Sequence, residues 1–148
     1  MSFAALKALE GQDIGTSDWL MVDQDRVDAF ADATLDHQWI HVDPEKAARG
    51  PFRGTIAHGY LTVSLLPYLG GQVEVSLDGL KMAINYGMER LRFPSPVPVG
   101  SRVRVHRKVL EVSDVGSGGV QVKNLMTVEV EGQTKPACVA ETLSRYYF

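Results

Sequence analysis

At 148 residues, with 45% apolar and 22% charged side chains, the chain has the size and composition of one soluble domain (1–148) with a sizeable core. Its net charge of −3 argues against non-specific attraction to nucleic acid. No apolar run approaches the roughly 18 residues of a membrane helix, and the first residues, Met1-Ser2-Phe3-Ala4, do not begin a secretory leader, so a cytoplasmic protein without a membrane partner is expected.

In chain order, a short strand is expected around Trp19-Leu20-Met21-Val22. Asp23 is then a good helix cap, and Val27, Phe30, Ala31 and Thr34 recur at helical spacing, which predicts a helix over 24–34. The stretch Leu35 to Asp43 has no clean period. Pro44 suits the first turn of another short helix, 45–48, with Asp43 as its cap, and Arg49 to Gly54 reads as a loop. The run Leu61 to Leu69 is apolar around most of its circumference, as in a helix surrounded by protein. Pro67 should kink or shorten it, and Gly70-Gly71 should stop it.

Near residue 78 the pattern changes from helix to strand. A strand is expected over 85–93, followed by the break Pro94-Ser95-Pro96-Val97-Pro98. Arg102 to Val109 alternates, one face apolar and the other basic or polar. After the turn Asp114 to Gly119 comes a second long strand whose alternation is expected to slip near Asn124-Leu125-Met126. Glu131-Gly132-Gln133 makes another turn before a last strand over 137–147. Three long strands joined by short turns imply an antiparallel meander. One apolar helix followed by such a sheet is an α+β arrangement, in which the sheet curls around the helix.

The histidines cluster: His37, His41 and His58 lie close in sequence to Asp36 and Gly59, while His106 sits on the polar face of a strand, where solvation is the expected state. Five residues separate Asp36 from His41, about 140° apart on a helix and on opposite faces of a strand. They meet only if the chain turns back between them. A carboxylate beside an imidazole could then trade a proton near neutral pH. Spacing alone leaves open the alternative that Asp36 is a cap and His41 faces solvent. Gly59 before the apolar helix would let a ligand approach the free N–H groups there. The spacing of His37, His41 and His58 matches no standard zinc pattern, so no metal is expected. Cys138, the single cysteine, lies in an apolar run and reads as a space-filler. Arg90, Arg92, Arg102, Arg104, Arg107 and Lys108 read as a solvated sheet face, with phosphate binding as the alternative. Glycine-rich nucleotide loops and serine-hydrolase elbows are missing, and no cofactor is expected.

Three ordered segments carry a resemblance. They are Phe30 to Pro44, including Asp36-His37-Gln38-Trp39-Ile40-His41, then Ile56-Ala57-His58-Gly59, then Leu91-Arg92-Phe93-Pro94-Ser95-Pro96-Val97-Pro98-Val99-Gly100. Together they resemble the MaoC-like (R)-specific enoyl-CoA hydratases over nearly the whole chain. The resemblance implies a hot-dog fold, a curved antiparallel sheet wrapped around a central helix. It implies a homodimer with the acyl-CoA tunnel near the subunit interface. It further implies Asp36 and His41 as the catalytic pair, the Gly59 N–H as oxyanion donor, and Gln38 and His58 as supporting residues. The implied reaction is reversible hydration of a trans-2-enoyl-CoA to an (R)-3-hydroxyacyl-CoA in fatty-acid metabolism.

The sequence departs from the family motif in three places: Leu35 replaces a glycine, Gln38 an asparagine and Trp39 a proline. Gln38 could still hydrogen-bond Asp36, and Trp39 adds bulk that could reshape acyl access. A serine found on the central helix of some members corresponds to Pro67, so that role is not carried over. Two rival readings remain on the same fold: an acyl-CoA thioesterase, and a non-catalytic acyl-thioester-binding subunit.

Overall fold

The computed structural model describes residues 3–73 and 76–148; Met1 and Ser2, where the sequence was read for a leader, lie outside the described residues. After a first turn of helix, α1 (Phe3–Lys7), come two short strands, β1 (Asp13–Thr16) and β2 (Leu20–Val22). The helix α2 (Gln24–Thr34) starts where the sequence places it. The Asp23 carboxylate accepts from the Arg26 N–H at 2.9 Å, and Val27 and Ala31 are buried on one face. Two short helices follow, α3 (Trp39–Val42) and α4 (Pro44–Ala48), the second capped by Asp43 at the Lys46 N–H.

The apolar segment forms two helices, α5 (Gly59–Ser64) and α6 (Leu66–Gly71). The break falls at Leu65, next to Pro67, whose missing N–H and fixed ring cannot continue a straight helix. Leu61, Leu66 and Leu69 are buried.

The remaining strands are β3 (Met82–Arg92), β4 (Ser101–Gly116), β5 (Gly119–Val130) and β6 (Cys138–Tyr147). Among the described residues six strands form one antiparallel sheet in the order β1-β4-β5-β6-β3, with β2 also on β4. Val103, Val105, Val128 and Val130 pack from this sheet against Leu61, Leu66 and Leu69. Each such buried side chain contributes roughly 1.5–3 kcal/mol of transfer free energy. This is the hot-dog arrangement.

Several expectations are corrected. Alternation does not slip in β5: every even-numbered residue from Val120 to Val130 is buried, and Asn124 simply takes an inward position. Arg107 is not on the solvated face. It shares the period-two register of Val103, Val105 and Val109 and points inward, buried. His106 does face outward, but it is held between Thr16 Oγ1 at 2.8 Å and Glu129 Oε2 at 2.6 Å rather than left to water. Arg104 also binds Glu129, and together Arg104 and His106 hold that carboxyl below its ordinary range against the opposing effect of burial. The elements α1 and β1 are additions, since their residues show no clear period.

Candidate active site

The site begins with the way α2 ends. Leu35 adopts φ 64°, ψ 22°, the left-handed conformation, and so turns the chain back after the helix. The next residue, Asp36, folds its carboxylate onto the Gln38 N–H at 3.3 Å, a short Asx-type turn leading into α3. It is thus the Gln38 main chain that reaches Asp36, while the Gln38 side chain is exposed. The reversal brings His41 and Asp36 to the same place as His58. The ligand-capable atoms of the three residues lie within 4.8 Å of one another.

His41 is buried, and its Nδ1 lies 2.6 Å from the Ile56 carbonyl. A carbonyl only accepts, so Nδ1 carries the hydrogen and Nε2 keeps its lone pair. Burial lowers the pKa of His41 below the ordinary 6.5, and His58 lowers it further. The Ile56 carbonyl and Asp36 oppose the shift without reversing it. The imidazole is therefore neutral at neutral pH.

His58 is 2% exposed and stacks on His41, ring centroids 3.9 Å apart and planes 25° from parallel. Its Nε2 faces the Asp36 main-chain carbonyl at 3.0 Å, and its Nδ1 is buried without a partner among the described residues. Phe30 closes the other side of this ring at 5.0 Å between centroids. Gly59 opens α5, and its N–H donates to no acceptor among the described residues. The Phe93 ring lies over it, so close that a Cβ at Gly59 would come 3.0 Å from that ring.

Residues the sequence does not single out hold this group together. The Gln24 side chain donates to the His41 carbonyl at 2.7 Å and to Asp28 at 2.9 Å, and accepts from the Thr55 hydroxyl at 2.7 Å. It ties α2 to α3 and to the segment before α5. Nothing in local periodicity distinguishes Gln24 from any polar residue in a first helical turn. His37 takes no part, since it pairs with Asp32 at 2.8 Å on the exposed end of α2. Cys138 is buried, and burial pushes its thiol up to about 11, which leaves it no nucleophile at neutral pH.

Asp36, His41 and His58 offer the donor types of a metal site. Their geometry fits an ion poorly, because stacked imidazoles aim their lone pairs along near-parallel planes rather than at one point. What the group offers instead is a lone pair on His41 beside a carboxylate on Asp36, with the N–H of Gly59, unpaired among the described residues, next in the chain to His58.

A family model described as a MaoC-like domain matches residues 6–131. The 3-hydroxyacyl-thioester dehydratase Z of Mycobacterium tuberculosis (strain ATCC 25618 / H37Rv) is 57% identical over 145 residues, covering 98% of this chain and 95% of that protein. Nodulation protein N of Rhizobium leguminosarum bv. viciae is 43% identical, covering 100% and 92%. Among solved structures, the (R)-hydratase from A. caviae involved in PHA biosynthesis superposes with a TM-score of 0.71 at 28% identity, covering 91% of this chain and 94% of that one. The chain belongs to the MaoC-like dehydratase family.

Within this MaoC-like chain the departures from the motif acquire physical meaning. The left-handed φ at position 35 is one that glycine adopts freely and leucine does not. The Trp39 ring lies against Gly50 and beneath the Lys46 ammonium at 4.8 Å, in a surface groove over α4. Among the described residues no helix is long and apolar enough to cross a membrane.

Proposed function

We propose that this chain reversibly hydrates trans-2-enoyl-CoA thioesters to (R)-3-hydroxyacyl-CoA, with Asp36 and His41 as the acid/base pair and the Gly59 N–H as oxyanion donor. The observations that carry the reading are the convergence of Asp36 and His41 on His58, the residue before Gly59, and the tautomer of His41 set by Ile56. The 57% identity to a 3-hydroxyacyl-thioester dehydratase supports the same class of reaction.

The chemistry follows from what each atom can do. The His41 Nε2 lone pair and an Asp36 carboxylate oxygen are both acceptors, so one water bridges them through its two hydrogens. The water oxygen forms a bond to C3 of the enoyl group as one member of the pair takes its proton. A proton returns from the pair to C2, and the carbon–carbon double bond becomes single. During this exchange negative charge builds on the thioester oxygen, where the Gly59 N–H meets it. The two groups are neighbours, so the acid and base roles are given to the pair and not to either residue alone. His58 and Gln38 support it, one through the Asp36 carbonyl and the other through the Asp36 carboxylate.

A second copy of the chain completes the reading. The edge strand β3 is exposed over nearly all its eleven residues and carries Met82, Ile84, Tyr86 and Met88 uncovered. An edge this long and apolar is a template for strand pairing, and a homodimer formed along β3 covers it. Sedimentation should show a dimer, and Ile84→Lys with Met88→Lys should shift it toward monomer. A wild-type monomer at micromolar concentration would refute that part.

The enzymatic test uses crotonyl-CoA and a longer trans-2-enoyl-CoA. The enoyl-thioester absorbance should fall with no release of thiol, and the product should be the (R)-alcohol. Thiol release would point to a thioesterase, and binding without turnover to a non-catalytic subunit.

A further inference from the structure

The inward face of the sheet is interrupted by one polar row. Arg107 on β4, Asn124 on β5 and Thr142 on β6 all point into the core, 6%, 1% and 9% exposed, and Asn124 and Thr142 are direct cross-strand partners. The row lies between two apolar clusters, one around Leu61, Leu69 and Val128 and the other around Leu6, Val122 and Tyr146. Arg107 donates from Nε to Asn124 Oδ1 at 3.0 Å and from Nη1 to the Gly70 carbonyl at 3.4 Å. Both acceptors are neutral, and no carboxylate pairs with this guanidinium among the described residues. Thr142 Oγ1 is buried with no hydrogen-bond partner among the described residues. A buried charge without a counter-charge and a buried hydroxyl without a partner both oppose folding, so a core selected only for stability has no use for them.

Thr142, one member of the row, also borders a cavity. A cavity of about 350 Å³ lies between α5–α6 and the strands β3 and β6, with Val63, Ser64, Pro67, Met88, Met126 and Thr142 in its walls. At about 1.5 Å of rise per residue, Val63 lies roughly 6 Å and Pro67 roughly 12 Å along the helical segment from Gly59. An acyl chain that ran along α5 from a thioester carbonyl held at the Gly59 N–H would enter this cavity, which Thr142 lines. Met126 borders the far side. It is the cross-strand partner of Arg107, and its Cε lies 2.8 Å from where a Cβ on Gly70 would be. Its thioether is the flexible element between the cavity and the guanidinium.

Resting on the acyl-thioester reading above, we propose that the acyl group this site prefers carries an oxygen acceptor, a carbonyl or carboxylate oxygen, several carbons beyond the thioester. The Thr142 hydroxyl receives that oxygen after rotation about its Cα–Cβ bond. A purely hydrocarbon chain leaves the hydroxyl buried and unmatched, whereas a chain with an acceptor satisfies it. Sites built around a buried polar group discriminate in this way against ligands that lack its partner.

The test is calorimetric titration with saturated thioesters, octanoyl-CoA against the eight-carbon chains ending in a carboxylate (suberyl-CoA) or its methyl ester. Wild type should bind at least one of the oxygenated chains about tenfold or more tighter than octanoyl-CoA. Thr142→Val, which keeps the shape and removes the hydroxyl, should bring that ratio close to one, and Thr142→Ser should restore it. Equal or weaker binding of both oxygenated chains by wild type would overturn the proposal, as would an undiminished ratio in Thr142→Val. Saturated chains are not hydrated, so the ratio reads the pocket independently of catalysis. A preserved preference without turnover of the matching trans-2-enoyl-CoA would count against the hydratase reading alone.

Discussion

At the start of α5 polar groups gather with hydrogen-bonding capacity to spare. Among the described residues the His41 Nε2 has no bond partner and the Gly59 N–H no acceptor, and Asp36 is exposed. At the end of α6, by contrast, the Gly70 carbonyl is met by Arg107, which Asn124 holds in turn. Both ends of the broken central helix bury polar side chains against the same apolar core. One leaves hydrogen-bonding capacity free for a ligand and the other consumes most of its own. The comparison separates catalysis from support: changes at the first end should cost rate and leave the fold standing, while changes at the second should cost stability.

The sharpest way to break that comparison is Gly59→Pro. Proline is tolerated in the first turn of a helix, and His58, at φ −58° and ψ 137°, already has the extended conformation a following proline requires. The substitution removes the N–H alone from the proposed chemistry and should lower kcat by roughly 10²–10³ with the helical signal retained. Gly59→Ala, which keeps the N–H and presses a methyl on Phe93, is the control and should lose much less. Steady-state kinetics with circular dichroism on both variants checks this. At the other end, Asn124→Leu leaves the Arg107 guanidinium without its main acceptor and should cost about 1.5–3 kcal/mol in urea unfolding. An Asn124→Leu protein as stable as wild type would show that Asn124 does not support that end of the helix.

Two smaller effects sharpen the contrast. Leu35→Gly relieves a left-handed conformation costing about 1–2 kcal/mol, less the roughly 0.5–1 kcal/mol that glycine adds in unfolded-chain freedom. The net expectation is stabilisation of about 0.5–1 kcal/mol, visible as a higher urea midpoint. His41, with its pKa depressed chiefly by burial, binds protons less readily in the folded chain than in the unfolded one. Its contribution to stability is complete above the unfolded value near 6.5 and is lost as pH falls from there toward the depressed folded value. The acid limb of kcat/KM should accordingly lie below 6.5 and disappear in His41→Gln.

What the sequence shows and what it hides divide along the same line. Asp23, Asp43 and Pro67 act locally, through caps and forbidden backbone conformations, so α2, α4 and the break at Leu65 are readable from neighbours alone, whereas Gly70 and Gly71 lie inside α6, which is capped at the next residue. The inward Arg107 was equally available, since it keeps step with Val103, Val105 and Val109, but charge is a misleading guide to exposure when period and polarity disagree. Asn124 misleads in the same way and suggests a slip in β5 where none exists. The meeting of Asp36, His41 and His58 depends on a left-handed leucine and on the Gln24 bridge, both products of tertiary packing without local period. For that reason the family resemblance points to the site and the spacing of its residues does not. The edge strand β3 is visible as a strand, but its uncovered apolar side chains appear only once the sheet order is known.

The most direct test of the central claim is the rate of enoyl-thioester absorbance loss for Asp36→Asn beside wild type, with crotonyl-CoA at matched folded concentration. Asparagine keeps the acceptor for the Gln38 N–H, so the turn into α3 should survive. The account predicts a fall in kcat/KM on the order of 10²–10⁴ with an unchanged unfolding curve. A variant that hydrates within a fewfold of wild type would contradict it and move the acid/base chemistry away from Asp36.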